Sequence, residues 1–402
     1  METLLKENIN WVGFIDWNIR DFHSYITPRG ATYNSYLIQD EKTALIDAVK
    51  APFADNLLRN IKGLTEFEKV DFVVCNHAEP DHSGGLPRVM ETLPNAKLVC
   101  TEKCLKVLER QYDTSGWLTH IVKDGDSLSL GKHTLTFIET PLLHWPESMF
   151  TYVPEAKLLF SMDAFGQHYA TSNRFDDEVD LSTVMEEAKI YYANILTPFG
   201  RRVAATLEKA KTLDIEMIAP SHGLIWRSHI GTILDAYHDW ATCKPEPKVL
   251  VIYDTQWDST GLMARAIIDG ASQPGVEAIL LHIRQSSLTR IATEVLDSAA
   301  VAIGSSNLNQ GMMPMAGALL TYLKGLNPVG KAGFAFGSYG WGKGAPEAID
   351  QWLRDMKWDV LRDPIKVKFR PNPEDLAMCR EAGELLAKKA IEIHESSVSR
   401  ID

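Results

Sequence analysis

The stretch His77 to Gly85 constrains this chain more than any other: it reads His-Ala-Glu-Pro-Asp-His-Ser-Gly-Gly and directly follows the apolar residues Val70, Phe72, Val73 and Val74. A short, β-branched, turn-bounded run predicts a strand over Val70 to Cys75, with the polar cluster on the loop leaving its C-terminal end. Pro80 fixes the local backbone, and Gly84 with Gly85 permits a tight exit. Four potential metal ligands, His77, Glu79, Asp81 and His82, can then converge on one pocket. Spread over a solvated loop, the same alternation of imidazole and carboxylate would bring only repulsion or desolvation cost.

Three further candidates stand at long spacing. Asp163 ends the apolar run Lys157 to Met162, His222 follows the run Glu216 to Ala219 within Pro-Ser-His-Gly, and His144 follows the alternating stretch Ser127 to Glu139. Each therefore leaves the end of a predicted strand. Together the four imidazoles and three carboxylates form a seven-ligand set. That is too many for one tetrahedral zinc, but it suits two metals about 3.5–4 Å apart bridged by one carboxylate. His120, His133, His168 and His238 lack this context and read as structural.

The surrounding pattern is mixed α/β. Short segments at Trp11 to Ile15, Thr32 to Ile38 and Thr43 to Ile46 predict antiparallel strands; Phe53 to Leu64 and Leu86 to Leu93 predict helices, and Lys97 to Tyr112 a strand-helix unit. A chain of 402 residues is too long for one ordinary core. The stretch Cys243 to Lys248, Cys-Lys-Pro-Glu-Pro-Lys, reads as a linker that divides residues 1–246 from residues 247–402. A net charge of -12 argues against nucleic acid as a partner. No run approaches a membrane span, and the start lacks the basic flank and long apolar core of a signal peptide. The five cysteines are scattered without a Cys-x-x-Cys pair, which argues against a disulfide framework, a zinc knuckle or a rubredoxin-type iron. A reducing cytoplasm is expected.

The second part repeats one arrangement three times, a strand running into a polar loop. Val249 to Tyr253 runs into Asp254 and then Thr255, Gln256, Trp257, Asp258, Ser259 and Thr260, ahead of a helical stretch. Ala299 to Ile303 runs into a loop with Ser306, Asn307, Leu308 and Asn309, and Lys331 to Phe336 into one with Ser338, Tyr339, Gly340, Trp341 and Gly342. In a doubly wound parallel sheet such loops converge outside the carboxyl ends of the strands. Backbone amides and hydroxyls at a helix N-terminus can hold a phosphate without any lysine. The third loop is not a dinucleotide fingerprint, since no helix or acidic residue is expected to complete one.

This pattern resembles flavodoxin, which implies FMN, with Thr255, Ser259 and Thr260 on the phosphate and Asn307, Tyr339 and Trp341 flanking the isoalloxazine. Asp258 departs from the pattern, because a carboxylate beside a phosphate repels it unless it points outward. The motif His77-x-Glu79-x-Asp81-His82, with His144, Asp163 and His222, is similar to the metallo-β-lactamase fold, an αββα sandwich, in its flavodiiron branch. Hydrolases of that superfamily carry a second His where this chain has Glu79, and the harder, more anionic donor favours iron over zinc. The resemblance implies one iron on His77, Glu79, His144 and Asp163, and another on Asp81, His82, Asp163 and His222, with Asp163 bridging. His23 and Tyr192 fall in stretches similar to those lining the family's oxidant pocket. The implied activity is reduction of dioxygen to water, of nitric oxide to nitrous oxide, or both, with dioxygen ranked first. Electrons would come from an external donor, rubredoxin or a reduced deazaflavin, to a homodimer or dimer of dimers. The rival readings are a zinc hydrolase fused to a flavodoxin-like module, and a plain flavin carrier.

Overall fold

The computed structural model describes residues 3–398. It divides into two compact units, Met1–Tyr191 with Arg201–His238, and Tyr192–Gly200 with Asp239–Asp402.

The first unit is a sandwich of two sheets. One has seven strands in the order Thr3–Lys6, Ile9–Trp11, Tyr36–Ile38, Thr43–Ile46, Val70–Val74, Lys97–Thr101 and Leu118–Val122. The other has five, Ser127–Ser129, Thr134–Glu139, Met149–Val153, Leu158–Met162 and Met217–Pro220. Ile46, Val74 and Val99 from the first sheet share one buried cluster with Phe137, Met149 and Phe160 from the second. The helices Ala54–Lys62 and Glu102–Gln111 each bury one apolar stripe, for instance Leu57, Leu58 and Ile61. Val70–Val74 is parallel to both of its neighbours, and Leu158–Met162 is parallel to Met217–Pro220. Polar loops can therefore gather at one end of the sandwich.

The segments expected as strands Trp11 to Ile15 and Thr32 to Ile38 are each split in two, leaving Phe14–Asp16 paired with Ala31–Tyr33. The chains cross so tightly there that a Cβ on Gly13 would stand 2.2 Å from the Tyr33 carbonyl oxygen.

The second unit is a six-stranded, wholly parallel sheet. Its path runs Glu277–His282, Glu246–Asp254, Ser298–Ser305, Ala332–Tyr339 and Asp359–Val360, with Ile365–Lys368 also on Ala332–Tyr339. The strand first in the chain lies between the second and third, so the order reverses beside it and opens a crevice at the strand ends. Alternation divides the strand Glu246–Asp254: Val249 and Val251 pack with the helices Ser259–Ala271 and Pro373–Val398, whereas Leu250 and Ile252 pack with Leu288–Asp297, Pro314–Leu326 and Ala345–Asp355.

Three expectations need correction. The linker is shorter than expected, because the strand Glu246–Asp254 already includes Pro247. The ladder shifts register between Glu246 and Val249, and such an irregularity tolerates the missing N–H of proline. Contacts divide the chain at His238 and Asp239 instead of at 246/247, and they assign residues 192–200 to the second unit. A helix, Ala345–Asp355, does follow the third loop.

Candidate metal centre and cofactor cavity

The ligand loop is built by the backbone around it. Asp47, at the end of the neighbouring strand, accepts from the Asn76 amide at 2.7 Å and from its side chain at 2.8 Å. Residues Pro80–Ser83 form one helical turn in place of the expected open loop, with Pro80 at the first position, where its missing N–H costs nothing. Glu79 precedes that turn while Asp81 and His82 lie on it, so consecutive ligands point to different sides of one space.

His77 Nε2 and His144 Nε2 lie 3.1 and 3.0 Å from Glu79 Oε2, and 3.5 and 3.3 Å from Asp163 Oδ2. His82 Nε2 and His222 Nε2 lie 3.0 and 3.4 Å from the other Asp163 oxygen, Oδ1, and 3.4 and 3.1 Å from Asp81 Oδ2. Asp163 thus turns one oxygen to each half. All seven side chains meet, in two groups of metal-binding character.

The donor set fits metal ions better than it fits itself. Both oxygens of Asp81 and Asp163, and His82 Nε2, are buried without an aligned hydrogen bond, although imidazole nitrogens stand 3.0–3.5 Å from the carboxylates. Short separations with poor alignment mean that the lone pairs aim into shared space. The far ring nitrogens are fixed: His77 Nδ1 pairs with Glu147 at 2.8 Å, and His222 Nδ1 donates to the Thr32 carbonyl at 2.6 Å. Each leaves Nε2 as the donor toward the centre. Burial alone would raise Glu79, but hydrogen bonds from His144, His23 and His77 hold its carboxyl well below the ordinary range. Burial is likewise outweighed at Asp81 and Asp163, chiefly by the charge of His82. Three anionic carboxylates therefore face one buried space.

His23 is brought to this centre, and Tyr192 falls in the second unit. The hairpin Asp21–Phe22 with Tyr25–Ile26 carries His23 at its tip, where Nε2 lies 3.1 Å from Glu79 Oε1. Tyr192 opens a π-helical turn, Tyr192–Leu196, and its ring packs on Trp240 at 5.1 Å. Its neighbour Tyr191 faces the centre instead, 6.0 Å from the His222 ring. Trp145 packs edge-on against His77 at 5.1 Å.

The sequence reading missed Glu147 and left His168 structural. His168 packs 4.9 Å from the His222 ring, and its Nδ1 is 2.6 Å from the Tyr25 hydroxyl. Burial and the charge of His222 hold it well below its ordinary value, so it is neutral. Glu147, three residues beyond His144, carried no sequence signal of its own.

In the second unit the three predicted loops close around a cavity of about 620 Å³. Gln256, Trp257 and Ser259 line it from the first loop, Ser306 to Asn309 from the second, and Ser338 to Gly342 from the third. Thr260 lies beneath, its hydroxyl 2.9 Å from Ser306 Oγ and 2.8 Å from Ser338 Oγ, and so ties the three loops together. Neither Thr255 nor Asp258 lines the cavity. Asp258 points outward to Arg265 at 2.6 Å, so its charge is paired away from a phosphate site. The residues fit FMN: Thr255 Oγ1 is buried without a partner before the N-terminus of the helix Ser259–Ala271, and Trp257 and Trp341 expose 84% and 91% of their surface beside the cavity. Gln310, Phe369 and Arg370 also line it and were not foreseen.

Comparison with known proteins agrees with both halves. The chain matches the ODP family beta lactamase over residues 31–223 and flavodoxin over residues 251–383. It is 45% identical over 390 residues to a nitric oxide reductase of Moorella thermoacetica, across 96% of this chain and 98% of that one. It is 41% identical to an anaerobic nitric oxide reductase flavorubredoxin of Pectobacterium carotovorum, across 97% of this chain and 78% of the relative. The flavodiiron protein from Giardia intestinalis superposes with a TM-score of 0.96 at 42% identity, over 98% of both chains. The rubredoxin oxygen:oxidoreductase from Desulfovibrio gigas gives 0.95 at 36% identity, over 98% of this chain and 99% of that one. Fold and site therefore define a two-domain oxidoreductase that joins a β-lactamase-like metal domain to a flavodoxin domain. The chain belongs to the flavodiiron protein family, with a diiron centre and FMN as its cofactors.

Proposed function

We propose that this chain reduces dioxygen to water, nitric oxide to nitrous oxide, or both, with the diiron centre in the first unit and FMN in the second. The observation that carries the reading is Asp163, which offers one oxygen to His77 and His144 and the other to His82 and His222. Bound there, two ferrous ions with open positions supply a binding site and electrons for a small oxidant, and FMN exchanges electrons with an external donor.

The chain's own residues do the rest. His77, Glu79 and His144 hold one ion and Asp81, His82 and His222 the other, with Asp163 shared. Glu79 in place of an imidazole makes the donor set harder, which favours iron and speaks against the zinc hydrolase. His23 presents an N–H at Nε2 beside Glu79 on the partly exposed side of the centre, where it can donate to an oxidant. Neutral His168 and Tyr25 hydrogen bond behind His222 without adding charge.

The finer reading is a head-to-tail homodimer in which one chain's FMN serves the partner's irons, fed by rubredoxin or a reduced deazaflavin in a reducing cytoplasm. The short proline-bearing connection and free cysteines support it. An iron-dead chain, His77→Ala with Asp163→Ala, refolded with a flavin-dead chain altered at Thr255 and Thr260, should recover roughly a quarter of wild-type activity through random pairing. An inactive mixture contradicts transfer between chains. Dioxygen stays ranked first on the resemblance at His23 and Tyr192, of which His23 lies at the centre in the first unit. Steady-state assays of both gases with one donor test this, and a nitric oxide rate far above the dioxygen rate reverses the order.

A further inference from the structure

We propose that the buried thiols of Cys75 and Cys104 are a two-electron reserve for the metal centre, oxidised to a disulfide when dioxygen meets ferrous ions while the flavin is oxidised; the proposal rests on reading the centre as a diiron site that reduces dioxygen. Cys75 follows the strand Val70–Val74 and stands two residues before His77, and its thiol donates to the His77 carbonyl at 3.2 Å. Cys104 lies in the first turn of the helix Glu102–Gln111, and its Sγ is 3.7 Å from both the Cys75 Sγ and the Cys75 carbonyl oxygen. A line of hydrogen bonds thus leads from Cys104 through Cys75 to the backbone of a metal ligand.

The surrounding contacts hold the pair in place. The Cys104 amide donates to the Thr101 hydroxyl at 3.1 Å, and that hydroxyl donates to the Glu147 carbonyl at 3.2 Å. Glu147 also pairs with His77 Nδ1, so the helix start and the ligand loop share one anchor. Closing the sulfurs from 3.7 Å to the ~2 Å of a disulfide asks for less than ~2 Å of movement by two side chains. Cys75 and Cys104 are buried, at 1% and 0% exposure, so soluble oxidants are held off and the neighbouring centre is the electron acceptor at hand. Packing alone accounts for a buried thiol, but it makes no demand for a second sulfur in contact or for a donor on the ligand's carbonyl. Cys100, buried on the strand Lys97–Thr101, adjoins Cys104 and is the alternative partner.

Electron counting gives the pair a task. Dioxygen takes four electrons and four protons on its way to two waters, and two ferrous ions supply two of those electrons. Reduced FMN supplies the other two when it is present. When it is not, two S–H bonds break and one S–S bond forms, which releases two electrons and two protons, and solvent gives two more protons. The irons end ferric, both oxygens leave as water, and the reserve is spent in a single turnover.

The test loads the full chain anaerobically with ferrous iron, leaves its FMN oxidised, adds dioxygen in equal amount to the centres and counts thiols in denaturant after an acid quench. Two of the five cysteine thiols should be lost. Trypsin should release the Cys75 and Cys104 peptides joined, since Arg88, Lys97 and Lys103 place Cys75, Cys100 and Cys104 on separate peptides. With FMN reduced beforehand, or with zinc in place of iron, all five thiols should survive. Cys104→Ser should keep its thiols and release hydrogen peroxide instead of water, with iron content and melting temperature unchanged. A wild-type ferrous chain that consumes dioxygen and keeps every thiol overturns the reserve. An equal thiol loss in the zinc-loaded chain overturns the role of the centre, and a bridge between Cys100 and Cys104 overturns the pair. A ferrous holoprotein that consumes no dioxygen overturns the underlying reading instead.

Discussion

Glu147 Oε1 lies 2.8 Å from His77 Nδ1 and 3.1 Å from the Ala78 amide. One buried carboxylate thus fixes both the ring and the backbone of the first ligand, and it turns Nε2 toward the centre. Glu147→Ala should weaken iron binding roughly 10–100-fold, read by chelator competition under anaerobic conditions. A melting curve of the metal-free variant separates that loss from misfolding. Unchanged iron affinity would show that His77 needs no such support.

Proton release is expected when iron binds. Burial would lower His144 and His222, but the carboxylates of Asp163 and Glu79 raise the first to about 9, and those of Asp163 and Asp81 raise the second to about 10. Both rings are therefore protonated in the metal-free protein at neutral pH, and iron must displace those protons. Affinity should climb by more than about tenfold per pH unit up to about pH 9. Calorimetry in buffers of different ionisation enthalpy measures the protons, and a release of none contradicts the raised imidazoles.

Glu187 predicts a pH dependence of stability away from the centre. It is buried and paired with Arg29 at 2.5 Å, and burial outweighs the guanidinium to push its carboxyl up to about 7 from 4.5. A folded value above the unfolded one gives a contribution that is fully present below pH 4.5 and lost as pH rises to 7. Glu187→Gln removes that loss, so its stability relative to wild type should rise across this window by at most ~3 kcal/mol. Urea melts at both ends of the window check it, and a constant difference contradicts it.

Glu79→His restores the imidazole typical of the hydrolase branch. It should shift metal preference toward zinc and suppress gas reduction while keeping the fold, since Glu79 lies just before the turn Pro80–Ser83 and outside the sheets. Metal analysis after growth with both metals reads the shift. Retained iron with full turnover contradicts the role given to Glu79.

How far the sequence was legible depended on whether residues that act together also lie together. The His77 loop announced itself because four potential metal ligands fall within six residues, and the three cavity loops because each follows a β-rich run. Glu147 and His168 reach the centre only through folding, His168 by its packing on Tyr25 and His222, and no local pattern marks either. Tyr191 packs 6.0 Å from the His222 ring, a placement that no local pattern in the Tyr191–Tyr192 pair marks. Phe369 and Arg370 come from a fourth strand end whose basic, alternating sequence reads as an ordinary exposed edge. The linker misread has a similar cause: Pro247 breaks a strand by propensity, but here it sits at a register shift that accommodates it.

Metal and flavin content of the purified protein, measured with its turnover, tests the central claim most directly. Two irons and one FMN per chain, with dioxygen or nitric oxide reduced at a rate proportional to iron, is the predicted result. Zinc at the same seven ligands, with hydrolysis of a thioester or lactam and no gas reduction, would contradict it.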